Sequence, residues 1–377
     1  MRRAPTVLIA TALLVSAACT STGGVSSTAA GPSGPGESSG SGALAASTVA
    51  GASSGAGGSS GAGVSSGAGG SSGTGSTDGA GPSTGADGST VAPSSGAGTA
   101  PSDETGCAVA GLPTTVAYRR LPGVPRNATS LDVYAPDGAC DVPVVVWVHG
   151  GGYHHGDKAN AMAAKQALFN RRGWILVSVN YRLTRVGDPS SAHYPDHYED
   201  VAASLAWVDA TIAHYGGDPG RLALLGHSAG ADIVANVAAE PRYLTDRGLG
   251  AGTIDCLAPL DTAGYDKPRA SIVERRQWDD ALGNHPAYLT DTSATLLLRS
   301  GRAAPPPATL SAVRGSPHRQ DIARDYLDAV DEAGARTVTV DARSLTHGQV
   351  SSRIGAPGDT VMTPPLVHFL RTCFAPT

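Results

Sequence analysis

The sequence predicts an α/β fold with a mostly parallel central sheet and helices on both faces. Two observations predict it. Short runs that are apolar at every position, many of them β-branched, recur after residue 140, as expected of strands buried on both faces. Longer stretches with helical patterning separate these runs, and such alternation is typical of a parallel sheet joined by crossover helices.

The strands are predicted in chain order from these apolar runs. Residues 114–119 and 130–134 are expected to form an antiparallel start. Buried strands are then predicted at 142–148, 174–180, 221–225, 256–260, 308–313 and 337–340.

The helices are predicted between these strands, at 157–172, 196–215, 229–239, 319–332 and 364–371. The second of them carries apolar residues at helical spacing, namely Val201, Leu205, Val208 and Ile212. Glycine commonly follows the last turn of a helix, and Gly173, Gly216 and Gly334 follow three of these segments.

The N-terminal part of the chain differs in composition from the rest. The 377 residues include 50 Gly, and only 16% are charged. Most of the excess glycine lies in residues 20–103, together with Ser, Ala and Thr. Such a segment buries too little apolar surface to offset the entropy of ordering. We therefore expect a disordered tether at 20–103 and one folded domain at 104–377.

The first nineteen residues have the pattern of a secretory signal. Arg2 and Arg3 precede an apolar run that ends in small residues before Cys19. The sequence Ser16-Ala17-Ala18-Cys19 resembles a lipobox, although Ser16 stands where that motif prefers Leu. We expect Cys19 to be lipidated in an exported protein that faces outward from the cell membrane. A cleaved signal followed by secretion is the alternative.

Charge limits the partners of the domain. The chain has 27 basic and 32 acidic residues, a formal net charge of −5. Nucleic acid is not expected as a partner because phosphate binding needs a basic surface. Membrane contact is expected only through Cys19.

Four further cysteines, at Cys107, Cys140, Cys256 and Cys373, predict two disulfides in an exported domain. We favour Cys107–Cys140 and Cys256–Cys373, while the other two connectivities and free thiols stay open. No Cys-x-x-Cys occurs, no carboxylate cluster completes a site with the paired histidines, and no metal is expected.

Three strand ends carry residues suited to acyl transfer. His149-Gly150-Gly151-Gly152 follows the first buried strand, Gly226-His227-Ser228-Ala229-Gly230 the third, and His347 the last. In open α/β sheets, ligands bind beyond the carboxyl ends of the strands. The sequence therefore predicts a nucleophile, a base and a loop of backbone donors at one edge of the sheet.

Ser228 is the candidate nucleophile because of its context. Gly-x-Ser-x-Gly also occurs in the tether, so the pattern alone is weak. Only at Ser228 does an apolar strand precede it and a helix of small residues follow. A sharp strand-to-helix turn strains the serine and exposes its Oγ, and flanking glycines provide the space.

These motifs resemble those of the α/β-hydrolase superfamily, in particular its carboxylesterase and arylformamidase-like branch. Val179-Asn180-Tyr181-Arg182-Leu183 and the segment 215–221 support the resemblance. It implies Ser228 as nucleophile and His347 as general base. It also implies that Gly151, Gly152 and Ala229 donate their amides to the oxyanion, and that no cofactor is needed.

The catalytic acid departs from the family pattern. The family places it after the strand that ends near Val313, where this chain has Arg314-Gly315-Ser316-Pro317-His318. Asp261, at the preceding strand end, is the favoured acid. Asp321, Asp266, and Ser316 or water without an acid are the alternatives. His318 is the alternative base, and His227 is expected to point away from the site.

The function implied is a serine hydrolase that cleaves small or medium carboxylic esters. An amidase of arylformamidase type would use the same residues in the same roles. A non-catalytic surface binding protein on the same fold is the alternative from another class, because fold does not fix function. The missing acid after the fifth buried strand is the feature that favours it.

Overall fold

The computed structural model describes Cys107 and residues 114–283, 286–302 and 305–375. All of them belong to one compact unit of the chain, Ser89–Thr377. The predicted signal, Cys19 and the predicted tether lie outside the described residues.

The described residues form one eight-stranded sheet in the order β1-β2-β4-β3-β5-β6-β7-β8. The first three strands in this order pair antiparallel, and every other pair is parallel. The strands are β1 Thr114–Ala117, β2 Ser130–Tyr134, β3 Val142–Val148, β4 Ile175–Val179, β5 Gly217–His227, β6 Cys256–Leu260, β7 Ala308–Val313 and β8 Arg336–Asp341.

The α-helices lie between these strands and after the last one. In chain order they are α1 Ala163–Asn170, α2 Asp196–Thr211, α3 Ala229–Ala239, α4 Arg242–Thr245, α5 Ile272–Arg276, α6 Asp279–Leu282, α7 Pro286–Asp291, α8 Ala294–Arg299, α9 Pro317–Glu332, α10 His347–Ser352 and α11 Thr363–Cys373.

The core lies on both faces of the sheet, which explains why its central strands are apolar throughout. In β3, Val144, Val146 and Val148 pack towards α2 and α3. Val145 and Trp147 of the same strand pack towards α1 and α11. A further cluster joins α3, α8 and α9. The predicted mostly parallel sheet with helices on both faces is confirmed.

Two predicted elements have bounds that differ clearly from the structure. The helix expected at 157–172 begins only at Ala163, because Asp157 caps a turn through the amide of Ala159 and Ala161 has a φ of 55°. The strand expected at 221–225 is longer, Gly217–His227. The helices between residues 272 and 299 were not predicted, since their segments are short and lack a long apolar period.

The four cysteines form Cys107–Cys140 and Cys256–Cys373, the favoured pairing. The second bond ties β6 to the end of α11. Among the described residues, no helix combines the length and the apolar character needed to cross a membrane.

Candidate active site

Ser228 lies in the turn between β5 and α3, in a strained backbone conformation. Its φ is 58° and its ψ is −120°, a combination that non-glycine residues seldom adopt. Its amide donates to the carbonyl of Leu260 on the neighbouring strand β6. This geometry exposes Oγ at the carboxyl edge of the sheet, as the motif predicts.

The turn is possible because glycines surround the serine. A Cβ at Gly226 would lie 2.3 Å from the carbonyl oxygen of Gly230. A Cβ at Gly230 would lie 2.3 Å from the carbonyl oxygen of Val148. Since both obstacles are backbone atoms, a larger residue at either position would displace a strand end.

His347 is the first residue of α10, just beyond β8. Thr346 precedes it and caps the helix, accepting from the amide of Gln349, whose side chain in turn accepts from the amide of Thr346. This capping box fixes the start of the helix and therefore the position of the histidine. The imidazole is 44% exposed, so water can reach it.

The structure brings Ser228, His347 and Asp261 together in a continuous hydrogen-bonded chain. Nε2 of His347 lies 2.8 Å from Oγ of Ser228. Nδ1 lies 2.6 Å from Oδ2 of Asp261, the residue that directly follows β6. Because a carboxylate only accepts, Nδ1 carries the proton and Nε2 is left to accept from the serine. The arrangement can deprotonate Ser228 for attack on a carbonyl carbon.

Asp261 is held in the ionised form. The carboxylate is 3% exposed, and this burial alone would favour the neutral acid. The hydrogen bond from His347, the charge of Arg319 and the hydrogen bond from Arg314 outweigh burial and hold the pKa of Asp261 well below its usual range. A fixed negative charge at this position orients the imidazole and stabilises its protonated form.

The alternative acids and the alternative base have other partners. Asp321 is exposed and pairs with Arg324 one turn along α9. Asp266 is buried, and its closest ionic partner is Arg269 at 3.9 Å. Nε2 of His318 donates to the carbonyl of Arg269. Ser316 is the N-cap residue of α9. None of these four side chains is a hydrogen-bond partner of His347 among the described residues.

The glycine loop lies directly against the serine. A Cβ at Gly150 would lie 2.8 Å from Cβ of Ser228. Gly151 and Gly152 have φ values of 129° and 61°, which turn the chain sharply. Within the described part of the chain, no acceptor takes the amide of Gly152. Ala229 is the first residue of α3, so its amide belongs to the unpaired start of a helix. These positions suit donors to an oxyanion.

The expectation that His227 points away from the site is wrong. Its ring packs against the ring of His347 with centroids 4.7 Å apart. Its Nε2 donates to the carbonyl of His347 at 2.9 Å. Burial lowers the pKa of His227 to about 4, so the ring is neutral at physiological pH. His227 therefore contacts both the ring and the backbone of His347. His227, Asp261 and His347 each offer one ligand atom within 4.8 Å of the others. Both ring nitrogens of His347 are already hydrogen-bonded, to Asp261 and to Ser228.

A buried polar network was not predicted from the sequence. Asp232, one turn after Ser228, accepts from Lys267 at 2.6 Å and from the hydroxyl of Tyr153. Tyr153 follows Gly152 directly, and Lys267 lies six residues after Asp261. The network therefore ties together the chain segments that carry the nucleophile, the oxyanion loop and the acid.

Comparison with known proteins shows which family the chain belongs to. The model of the carboxylesterase family matches residues 124–245, which include the glycine loop and Ser228. Carboxylesterase NlhH of Mycobacterium tuberculosis is 30% identical over 259 residues, 64% of this chain and 76% of that enzyme. The chain belongs to the carboxylesterase family. The predicted family resemblance is thereby confirmed.

The other relatives match shorter parts. Para-nitrobenzyl esterase of Bacillus subtilis is 31% identical over 134 residues, 34% of this chain, and the chain spans 27% of the length of that relative. Among solved structures, two of Thermogutta terrifontis esterase 2 superpose on this chain with TM-scores of 0.55 and 0.57 at 20% identity. The superposition covers 70% of this chain and 96–97% of that esterase. This likeness confirms the α/β-hydrolase fold.

Proposed function

We propose that this chain is a serine carboxylesterase that cleaves small or medium carboxylic esters. The observation that carries the proposal is the chain of hydrogen bonds from Ser228 through His347 to Asp261. It joins three strand ends of the sheet at 2.8 and 2.6 Å. The strained turn at Ser228 supports it, because a serine without chemistry would not need that conformation.

The proposed reaction has two halves. Oγ of Ser228 attacks the ester carbonyl carbon while Nε2 of His347 takes the Oγ proton. The resulting oxyanion accepts hydrogen bonds from the amides of Gly151, Gly152 and Ala229. The tetrahedral intermediate then expels the alcohol, which leaves with the proton from His347, and an acyl-enzyme remains. Water, deprotonated by the same histidine, attacks the acyl carbon, and the carboxylic acid and free Ser228 are released.

A cavity of about 420 Å³ lies next to the segment that follows the glycine loop. Neither Ser228 nor His347 lines it, so its volume does not set the size of the substrate. The segment after the glycine loop and the short insertion at 184–193 both contribute to its lining, with His154, Gly156, Arg185, Ser190 and Ser191.

The missing acid after β7 no longer favours a non-catalytic binding protein. The strand end after β7 has no acid, but Asp261 on the adjacent strand end is bonded to His347. A binding protein has no need of this hydrogen-bonded set.

Hydrolysis of p-nitrophenyl acetate and butyrate by the full chain tests the proposal. We expect turnover in the wild type, its loss in Ser228→Ala, and fluorophosphonate labelling of the wild type alone. Ser300→Ala is the matched control, since Ser300 is exposed and its hydroxyl contacts only the carbonyl of Leu297 and the exposed side chain of Arg302 among the described residues. A folded wild type that neither turns over these esters nor takes the label would favour the binding protein, and cleavage of anilides in preference to esters would favour the amidase.

We also propose that the protein is exported and anchored through lipid on Cys19. The support is the charged and apolar start of the sequence, together with two disulfides, which persist in oxidising compartments. Labelling with radioactive palmitate in a bacterial host should mark the wild type and not Cys19→Ser. Equal absence of label from both, with protein in the medium, would favour secretion.

A further inference from the structure

Arg314 stands at the strand end where the family resemblance places the acid. It directly follows β7, the parallel neighbour of β6, and Leu260 pairs with Ala312 in the register of the two strands. Asp261 and Arg314 therefore leave adjacent strands at the same edge of the sheet. Compared with the family pattern, the acid therefore lies one strand away, after β6, and the strand end after β7 carries a cation instead.

The arginine bonds the same oxygen as the catalytic histidine. Nη1 of Arg314 lies 2.5 Å from Oδ2 of Asp261, and Nδ1 of His347 lies 2.6 Å from that oxygen. Nη1 and Nδ1 are only 3.3 Å apart. An arginine has no acceptor, and Nδ1 already donates to the carboxylate. The two nitrogens thus face each other as donors that share one acceptor.

Among the charged groups around Asp261, Arg314 is the cation that compensates its negative charge. Arg319, on α9, lies 2.9 Å from Oδ1 of Asp261, but it also lies 2.9 Å from Glu274 on α5. His227, which packs against His347 from the β5 side, is neutral at physiological pH. Asp261 with Arg314, and Arg319 with Glu274, form two neutral pairs around the imidazole.

The local net charge becomes positive when His347 takes a proton. A protonated imidazole would place a second positive charge beside a guanidinium whose side chain is 15% exposed, where solvent screens it little. We propose that Arg314 is a positioning residue that holds Asp261 at its strand end and opposes protonation of His347, and thereby extends ester hydrolysis to more acidic pH. The inference rests on the proposed function, because His347 must act as the base for its charge to limit the rate.

The pH profile of kcat/KM tests this inference, since a purely structural role of Arg314 would not shift the acid limb of that profile. In Arg314→Gln the acid limb should move to higher pH by at least about 0.5 unit, because the fixed positive charge beside the imidazole is gone. Arg314→Lys keeps the charge, and its acid limb should stay within about 0.3 unit of the wild type. Arg324→Gln, an exposed arginine on α9, is the matched control and should leave the profile unchanged.

A titration that needs no turnover separates this inference from the proposed function. The imidazole signals of His347, followed by NMR from pH 4 to 9, should titrate at higher pH in folded Arg314→Gln than in the wild type. An inert wild type with this shift would sink the proposed function and keep the electrostatic role of Arg314. Coincident titrations, or coincident acid limbs in active enzymes, would overturn the role of Arg314 whatever the activity.

Discussion

Oδ2 of Asp261 lies 2.6 Å from Nδ1 of His347, although the two residues are 86 positions apart in the chain. They meet because β6 and β8 are parallel strands of one sheet, with β7 between them, and end at the same edge. Asp261 itself has a φ of 61°, so its backbone turns sharply as it leaves the strand.

Removal of the acid should impair turnover without unfolding the domain. In Asp261→Ala the imidazole loses the partner that fixes its tautomer and stabilises its protonated form. We expect kcat/KM for p-nitrophenyl butyrate to fall at least about a hundredfold. Asp321→Ala is the matched control and should keep its activity, because Asp321 is exposed and pairs with Arg324. Near-normal turnover in folded Asp261→Ala would reject the acid.

The site residues that can be predicted from the sequence are those that come directly after a strand in the chain. Ser228 and the glycine loop have a local pattern, and a parallel sheet brings such ends to one edge. Asp261 could be favoured on the same ground, since it is the first residue after β6.

The supporting residues could not be predicted, because their roles depend on contacts between distant segments. Nothing local shows that Arg314 reaches Asp261, or that Lys267 reaches Asp232. One signal was present: Asp232 is a charged residue in helix α3, whose other residues are apolar except for Asn236, and a buried charge needs a partner.

A methyl group at Gly230 should disrupt the site. The added Cβ would lie 2.3 Å from the carbonyl oxygen of Val148 and 2.5 Å from that of His149, so either β3 or α3 must shift. Displacement of the glycine loop relative to Ser228 by about 1 Å should lower kcat/KM about a hundredfold in Gly230→Ala. The matched control is Gly252→Ala, since nothing lies within 4 Å of the added Cβ there. Equal activity of the two variants would contradict the packing argument.

The buried pair of Asp232 and Lys267 should be costly to break. Their side chains are 2% and 0% exposed, and Nζ lies 2.6 Å from Oδ1. Asp232→Asn leaves an uncompensated buried ammonium, which should lower the free energy of unfolding by about 3 to 5 kcal/mol. Chemical denaturation followed by circular dichroism measures this change.

A second substitution separates the ion pair from packing. Lys267→Met added to Asp232→Asn removes the unpaired charge and should recover more than about 1 kcal/mol of unfolding free energy. The control is Asp321→Ala with Arg324→Ala, an exposed pair whose loss should change stability by less than about 1 kcal/mol. A double variant no more stable than Asp232→Asn alone would show that the charge is not the cause.

Two of the three buried histidines among the described residues, His197 and His227, should make the fold sensitive to acid well above the range in which carboxylates titrate. Burial lowers the pKa of His197 to about 3 and that of His227 to about 4. An unfolded histidine has a pKa of about 6.5, so the unfolded chain binds protons that the folded chain excludes. Their contribution to stability is therefore fully present above about pH 6.5 and is lost as the pH falls towards these lowered values.

Denaturation at pH 7.5 and pH 5 measures this loss. Each of the two histidines should cost on the order of 2 kcal/mol of unfolding free energy at pH 5. His197→Gln should be less stable than the wild type at pH 7.5, because Gln cannot reproduce the packing of a fully buried ring, yet its pH dependence should be shallower by that amount. His368→Gln, at an exposed position, should leave the dependence unchanged. If His197→Gln kept the full difference between the two pH values, the acid sensitivity would have to come from other groups.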